Sequence, residues 1–146
     1  MNNYLNNVII FFILCLSSSH LFASNNLSAD EVRKLFTGNT AEGERREYEK
    51  PGGGFSGKLI NFAELSVSYY AEDGTVTNQI GEQKNTGKWR VTESGELCTE
   101  WEGKEEKCAP VYKEGDTYKR VIKNKMGRNL REIKYIKFIP GNENDL

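Results

Sequence analysis

Glu96-Leu97-Cys98-Thr99-Glu100-Trp101-Glu102-Gly103-Lys104-Glu105-Glu106-Lys107-Cys108-Ala109-Pro110-Val111-Tyr112 reads as two short strands around a polar turn. Alternation with a period of two puts Leu97 and Trp101 on one face of the first strand and Cys98 on the other. Glu102-Gly103-Lys104 supplies the turn between Glu96–Trp101 and Glu106–Tyr112. Cys98 and Cys108 are placed symmetrically about Gly103, so in an antiparallel hairpin closed there they face each other across adjacent strands.

The same rhythm continues outward. Downstream, Glu114-Gly115-Asp116 turns the chain before Thr117–Lys123, and Asn124 to Gly127 leads into Asn129–Ile139. Pro140 ends that run because it has no N–H for a continuing ladder. Upstream, Glu93-Ser94-Gly95 precedes the hairpin, and Gly87-Lys88-Trp89-Arg90-Val91 puts Trp89 and Val91 together. Ala71-Glu72-Asp73-Gly74 separates Lys58–Tyr70 from Thr75–Ile80. In the former, Ala63, Leu65, Val67 and Tyr69 alternate with Glu64, Ser66, Ser68 and Tyr70, which predicts a dry face made by the first set. With a further strand at Glu44–Glu49, seven or eight strands follow at short intervals. The prediction is a mainly β fold: an antiparallel meander forming a small barrel or a strongly curled sheet.

One short helix precedes the strands. Ser28 caps it, Glu31 completes a capping box, and Leu27 with Val32 forms a hydrophobic staple. Val32, Leu35 and Phe36 share a face and Gly38 stops the helix. An element this short is suited to covering one end of a sheet.

Ahead of it, Val8-Ile9-Ile10-Phe11-Phe12-Ile13-Leu14-Cys15-Leu16 has the character of a signal-peptide core, and Ser17, Ser18 and Ser19 break its apolarity. Ala23 is a small residue suited to cleavage. The expected organisation is a signal peptide at residues 1–23 and a single β-rich domain at residues 24–146. A retained anchor needs about 20 predominantly apolar residues, and the serines and His20 interrupt this run. Removal of the leader takes away Cys15 and His20, the sole histidine. The two cysteines left, Cys98 and Cys108, are expected to pair in a periplasmic or extracellular compartment. Closing so short a loop contributes about 2–3 kcal/mol.

Twenty basic and 21 acidic residues give a net charge of −1, with no general attraction for nucleic acid or an anionic membrane. Lys119, Arg120, Lys123, Lys125, Arg128 and Arg131 leave room for a local basic surface, but they alternate with apolar residues, so a solvated sheet face explains them at least as well. Pro51-Gly52-Gly53-Gly54-Phe55-Ser56-Gly57 lacks the following helix and Lys-Ser or Lys-Thr pair of a phosphate loop, so it reads as a loop between strands.

A mature chain without histidine cannot assemble Ser-His-Asp or Cys-His nucleophile systems, nor a histidine-containing zinc site. Glu72 with Asp73, Glu93 with Glu96, and Glu105 with Glu106 are the acid pairs available for glycosidase-type chemistry. All lie at or beside turns, where acids are ordinarily solvated. No cofactor is expected. A barrel lumen lined by Trp89, Trp101, Tyr69 and Tyr118 would suit a small apolar ligand, although aromatics in a domain this size are first needed as core. An exposed loop, with Phe55 at its tip or at the Gly103 hairpin, would suit inhibition of an envelope or host hydrolase. The expectation is a non-catalytic binding or interaction domain whose partner is an envelope protein or small ligand. Apolar-ligand carriage and hydrolase inhibition are the alternatives, and a carboxylate-based hydrolase is the weakest.

Several segments in order resemble a family of small exported Gram-negative bacterial domains of unknown function. They are Leu27-Ser28-Ala29-Asp30-Glu31-Val32 with Gly38-Asn39-Thr40 and Gly43; Tyr70-Ala71-Glu72-Asp73-Gly74; Gly87-Lys88-Trp89-Arg90-Val91; Cys98 and Cys108 around Trp101; and Ile139-Pro140-Gly141-Asn142. The resemblance implies a periplasmic or secreted all-β domain and brings no catalytic residues with it.

Overall fold

A computed structural model of the protein describes residues 25–48, 62–143 and 145–146. The leader at 1–23, the Pro51–Gly57 loop with Phe55, and residues 58–61 lie outside the described residues.

Helix α1 (Ala29–Phe36) forms where the capping box puts it. The Ser28 hydroxyl accepts from the Glu31 N–H, and the Glu31 carboxylate accepts in return from the Ser28 N–H at 2.8 Å. Asn39 donates from Nδ2 to the Leu35 carbonyl at 2.9 Å, satisfying one free acceptor at the other end.

Eight strands follow: β1 (Asn39–Glu47), β2 (Glu64–Tyr70), β3 (Thr75–Ile80), β4 (Gln83–Val91), β5 (Glu96–Trp101), β6 (Lys107–Glu114), β7 (Thr117–Lys123) and β8 (Asn129–Pro140). Each pairs antiparallel with its neighbours in sequence, and β1 also pairs with β8, closing the barrel. Closure leaves no exposed sheet edge. Gly43 allows the close approach this requires, because a Cβ there would run into the Lys134 carbonyl oxygen of β8 beside the bulge at Glu42/Gly43.

Helix α1 closes one end. Val32 and Phe36 are fully buried, and Phe36 meets Tyr70, Tyr135 and Phe138 edge-on at centroid distances of 4.8, 5.1 and 5.1 Å. Val76, Leu97 and Val111, all fully buried, complete this apolar layer. Gly95, in the left-handed region at φ 87°, lets the chain entering the helix lie over the β4–β5 turn, since a Cβ there would sit 2.7 Å from the Leu27 carbonyl oxygen. The hairpin of β5 and β6 is as expected: Cys98 is directly opposite Cys108 and bonded to it. No helix among the described residues is long and apolar enough to cross a membrane.

Three expectations are corrected. Strand β1 begins at Asn39 rather than Glu44, since Thr40 and Ala41 pair with both β2 and β8 and pairing on two sides outweighs weak local propensity. The phase of β2 is inverted. Tyr70 is held inside by Phe36, so Ser68 and Ser66 also point inward by the period of two, while Leu65 is 72% exposed. Arg120 is not on a solvated face: it is 1% exposed and lies inside the barrel.

Candidate functional site

The barrel interior changes character along its axis. Below the apolar layer at the helix end, the lumen opens toward the other end as a cavity of about 630 Å³. Its wall carries Ser66 and Ser68 from β2, Asn78 from β3, Thr99 and Trp101 from β5, Arg120 and Ile122 from β7, and Arg131, Ile133 and Tyr135 from β8. Arg45, Lys84, Glu102 and Lys104 stand around the rim.

Most of these polar groups hold one another. Asn78 Nδ2 donates to Ser66 Oγ at 2.7 Å, Ser68 Oγ at 2.8 Å and the Val67 carbonyl at 3.2 Å. At the rim, one Glu47 oxygen accepts from Arg45 Nη2 at 2.6 Å and from Arg131 Nε at 2.6 Å. Burial pushes the Glu47 carboxyl up, but hydrogen bonds from Arg45 and then Arg131 more than offset this and hold it below the usual range. The clamp fixes both arginines.

Deeper in, the accounting does not close. Arg120 uses Nη2 to donate to the Lys107 carbonyl at 2.7 Å and to Thr99 Oγ1 at 3.3 Å. Among the described residues its buried Nε has no hydrogen-bond partner, and neither has the buried hydroxyl of Tyr135. No carboxylate among the described residues pairs with Arg120. Tyr70 lies close by: burial first, then the adjacent Tyr135, push its phenol well above its ordinary value, and the Arg120 charge works in the opposite direction. Buried polar groups are normally satisfied, and a buried cation without a counter-charge is costly.

Of the expected contact residues, Trp101 lines this cavity. Trp89 packs at the helix end, edge-on to Tyr70, with its indole N–H donating to the Ala71 carbonyl at 2.8 Å. Tyr118 lies on a separate groove of about 320 Å³ between α1 and the barrel, with Leu27, Leu35 and Phe138. Tyr69 alternates with inward-facing Tyr70 and so faces outward. The structure therefore brings one of these aromatics to the lumen and disperses the rest.

Three of the six paired acids make turn or surface contacts. Asp73 accepts from the Thr75 N–H at 2.8 Å, Glu105 pairs with Lys125 at 2.8 Å, and Glu106 forms a bidentate pair with Arg90 at 2.6 and 2.7 Å. These contacts hold all three carboxyls below the usual range, whereas a general acid needs the opposite shift. Glu106 also lies beside Cys98 and Cys108, but the disulfide leaves no thiolate for a metal.

Apart from Trp101, the lumen residues carry no motif that marks them in the sequence. One signal was present: Arg120 sits between Tyr118 and Ile122 in the inward phase of β7, while Lys119, Val121 and Lys123 form the other. An arginine in register with two apolar residues on one strand is a candidate for burial. Comparison with protein-family models, with curated proteins and with solved structures finds no match to this chain.

Proposed function

We propose that the protein is a non-catalytic, exported binding domain, periplasmic or secreted, whose binding site is the open half of the barrel lumen. One observation carries the proposal: a polar cavity of about 630 Å³, closed at one end by α1, with hydrogen-bonding groups of several strands converging inside it. That volume is in the range of small-molecule sites. The wall is mostly hydroxyl, amide and guanidinium, which favours a polar small molecule over an apolar one. The Cys98–Cys108 bond is consistent with an oxidising compartment.

The test is a titration of ¹⁵N-labelled protein with fractionated small molecules from an envelope extract. Binding in the lumen shifts the amides of Ser66, Ser68, Asn78 and Thr99 together. Shifts confined to the outer face, or a stable protein complex in which these amides stay unshifted, would overturn the proposal in favour of a protein-binding surface.

A further inference from the structure

We infer that the ligand of this lumen is an anion, a polar small molecule whose phosphate or carboxylate group is received by Arg120 and Tyr135. The inference rests on the proposed lumen site and specifies its chemistry.

Three observations converge. First, Arg120 is 1% exposed, lines the lumen and has no paired carboxylate among the described residues. Its protein contacts are neutral oxygens reached through Nη2, which leaves Nε–H without an acceptor. Second, the Tyr135 hydroxyl is a second buried group without a hydrogen-bond partner among the described residues, on the strand paired with β7. An oxyanion offers acceptors to both, whereas a neutral sugar hydroxyl or amide leaves the Arg120 charge uncompensated. Third, the approach is basic: Arg45, Lys84, Lys104 and Arg131 line the cavity against one lining acid, Glu102, while Glu47 is engaged between Arg45 and Arg131. Such a rim draws an anion inward and raises its encounter rate.

The geometry also assigns roles. The planar guanidinium of Arg120, held by Thr99 and Lys107, presents a fixed direction to the anion. Ser66, Ser68 and Asn78, already linked to one another, are left to contact the polar remainder of the molecule.

The experiment uses the full, disulfide-intact protein with inorganic phosphate and with succinate as separate probes, at constant ionic strength set with chloride. Affinity is read by calorimetry and by melting temperature. The expected result is saturable binding of at least one probe, and which one binds distinguishes a phosphate from a carboxylate ligand. Arg120→Met is expected to weaken that binding by about tenfold or more. Tyr135→Phe, which keeps the buried ring and removes only the hydroxyl, should weaken it roughly threefold to tenfold. Arg90→Met, outside the barrel, should leave it unchanged.

Equal binding by wild type, Arg120→Met and Tyr135→Phe would overturn the inference, as would no saturable binding of either probe. If a neutral molecule shifts the lumen amides while both anions do not, the anion inference fails and the lumen reading stands. If nothing shifts those amides, both fail.

Discussion

Phe36 of the helix stands edge-on to Tyr135 of β8, with ring centroids 5.1 Å apart and planes at 81°. This contact joins the apolar plug to the polar lumen, because the hydroxyl of the same tyrosine is, with Arg120 Nε, a buried group without a hydrogen-bond partner among the described residues. The helix therefore does more than cover an end: it holds in place the rings whose polar tips form the inner limit of the cavity.

Phe36→Ala is expected to cost about 3–5 kcal/mol, since the ring is fully buried among Tyr70, Tyr135 and Phe138. Urea unfolding checks this. A loss below about 1 kcal/mol, the scale of an ordinary surface change, would show that the helix is not integral to the barrel.

Reducing Cys98–Cys108, or replacing both residues with serine, should destabilise the protein by about 2–3 kcal/mol. For a domain of this size the melting temperature should fall by roughly 6–15 °C. The strands on either side are already paired by the ladder, so the reduced protein should keep its β-sheet circular-dichroism spectrum at low temperature.

Arg120→Met should raise the melting temperature of the ligand-free protein by a few degrees, on the order of 1 kcal/mol, because it replaces an uncompensated buried charge with an apolar chain of similar length. Stability and binding then move in opposite directions at one residue. A marked loss of stability would show that the hydrogen bonds to Lys107 and Thr99 outweigh the burial of charge.

Acid should destabilise the fold through its carboxylates. Hydrogen bonds from Ser28 lower Glu31, the Thr75 N–H lowers Asp73, and Lys125, Arg90 and Lys119 lower Glu105, Glu106 and Glu114. For Glu47, burial pushes upward, and the two arginines outweigh it. Each group binds a proton more weakly folded than unfolded. Its stabilisation is therefore complete above the ordinary carboxylate range and is lost as pH falls through the folded values. Thermal melts should show stability declining between about pH 5 and pH 2, with a shallower decline in Glu47→Gln. A level melting temperature across that window would contradict these assignments.

The sequence carried the barrel further than it carried the site. Turn chemistry at Gly74, Gly95, Gly103 and Gly115 marked the strand ends, and the Ser28–Glu31 box marked the helix, because these are local signals. Phase in β2 is not local. Its apolar residues, Leu65 and Val67, look like a core face, yet Tyr70 is drawn inside by a helix far back in the chain and takes Ser66 and Ser68 with it. A lumen that is polar at one end reverses the usual association of apolar with inside. The same holds for Arg120. Its charge suggested solvent, while its register with Tyr118 and Ile122 indicated the interior. Trp89, Trp101 and Tyr118 pack against the core, the role first expected of such aromatics, while the alternative of an aromatic-lined cavity met a wall of hydroxyls, amides and guanidinium groups with Trp101 among them.

The most direct test follows the Nε–Hε resonance of Arg120 during titration with phosphate or succinate. The account predicts a saturable shift of that resonance, moving in step with the amides of Ser66, Asn78 and Thr99. An unchanged Arg120 signal alongside shifts at outward arginines such as Arg90 would contradict it.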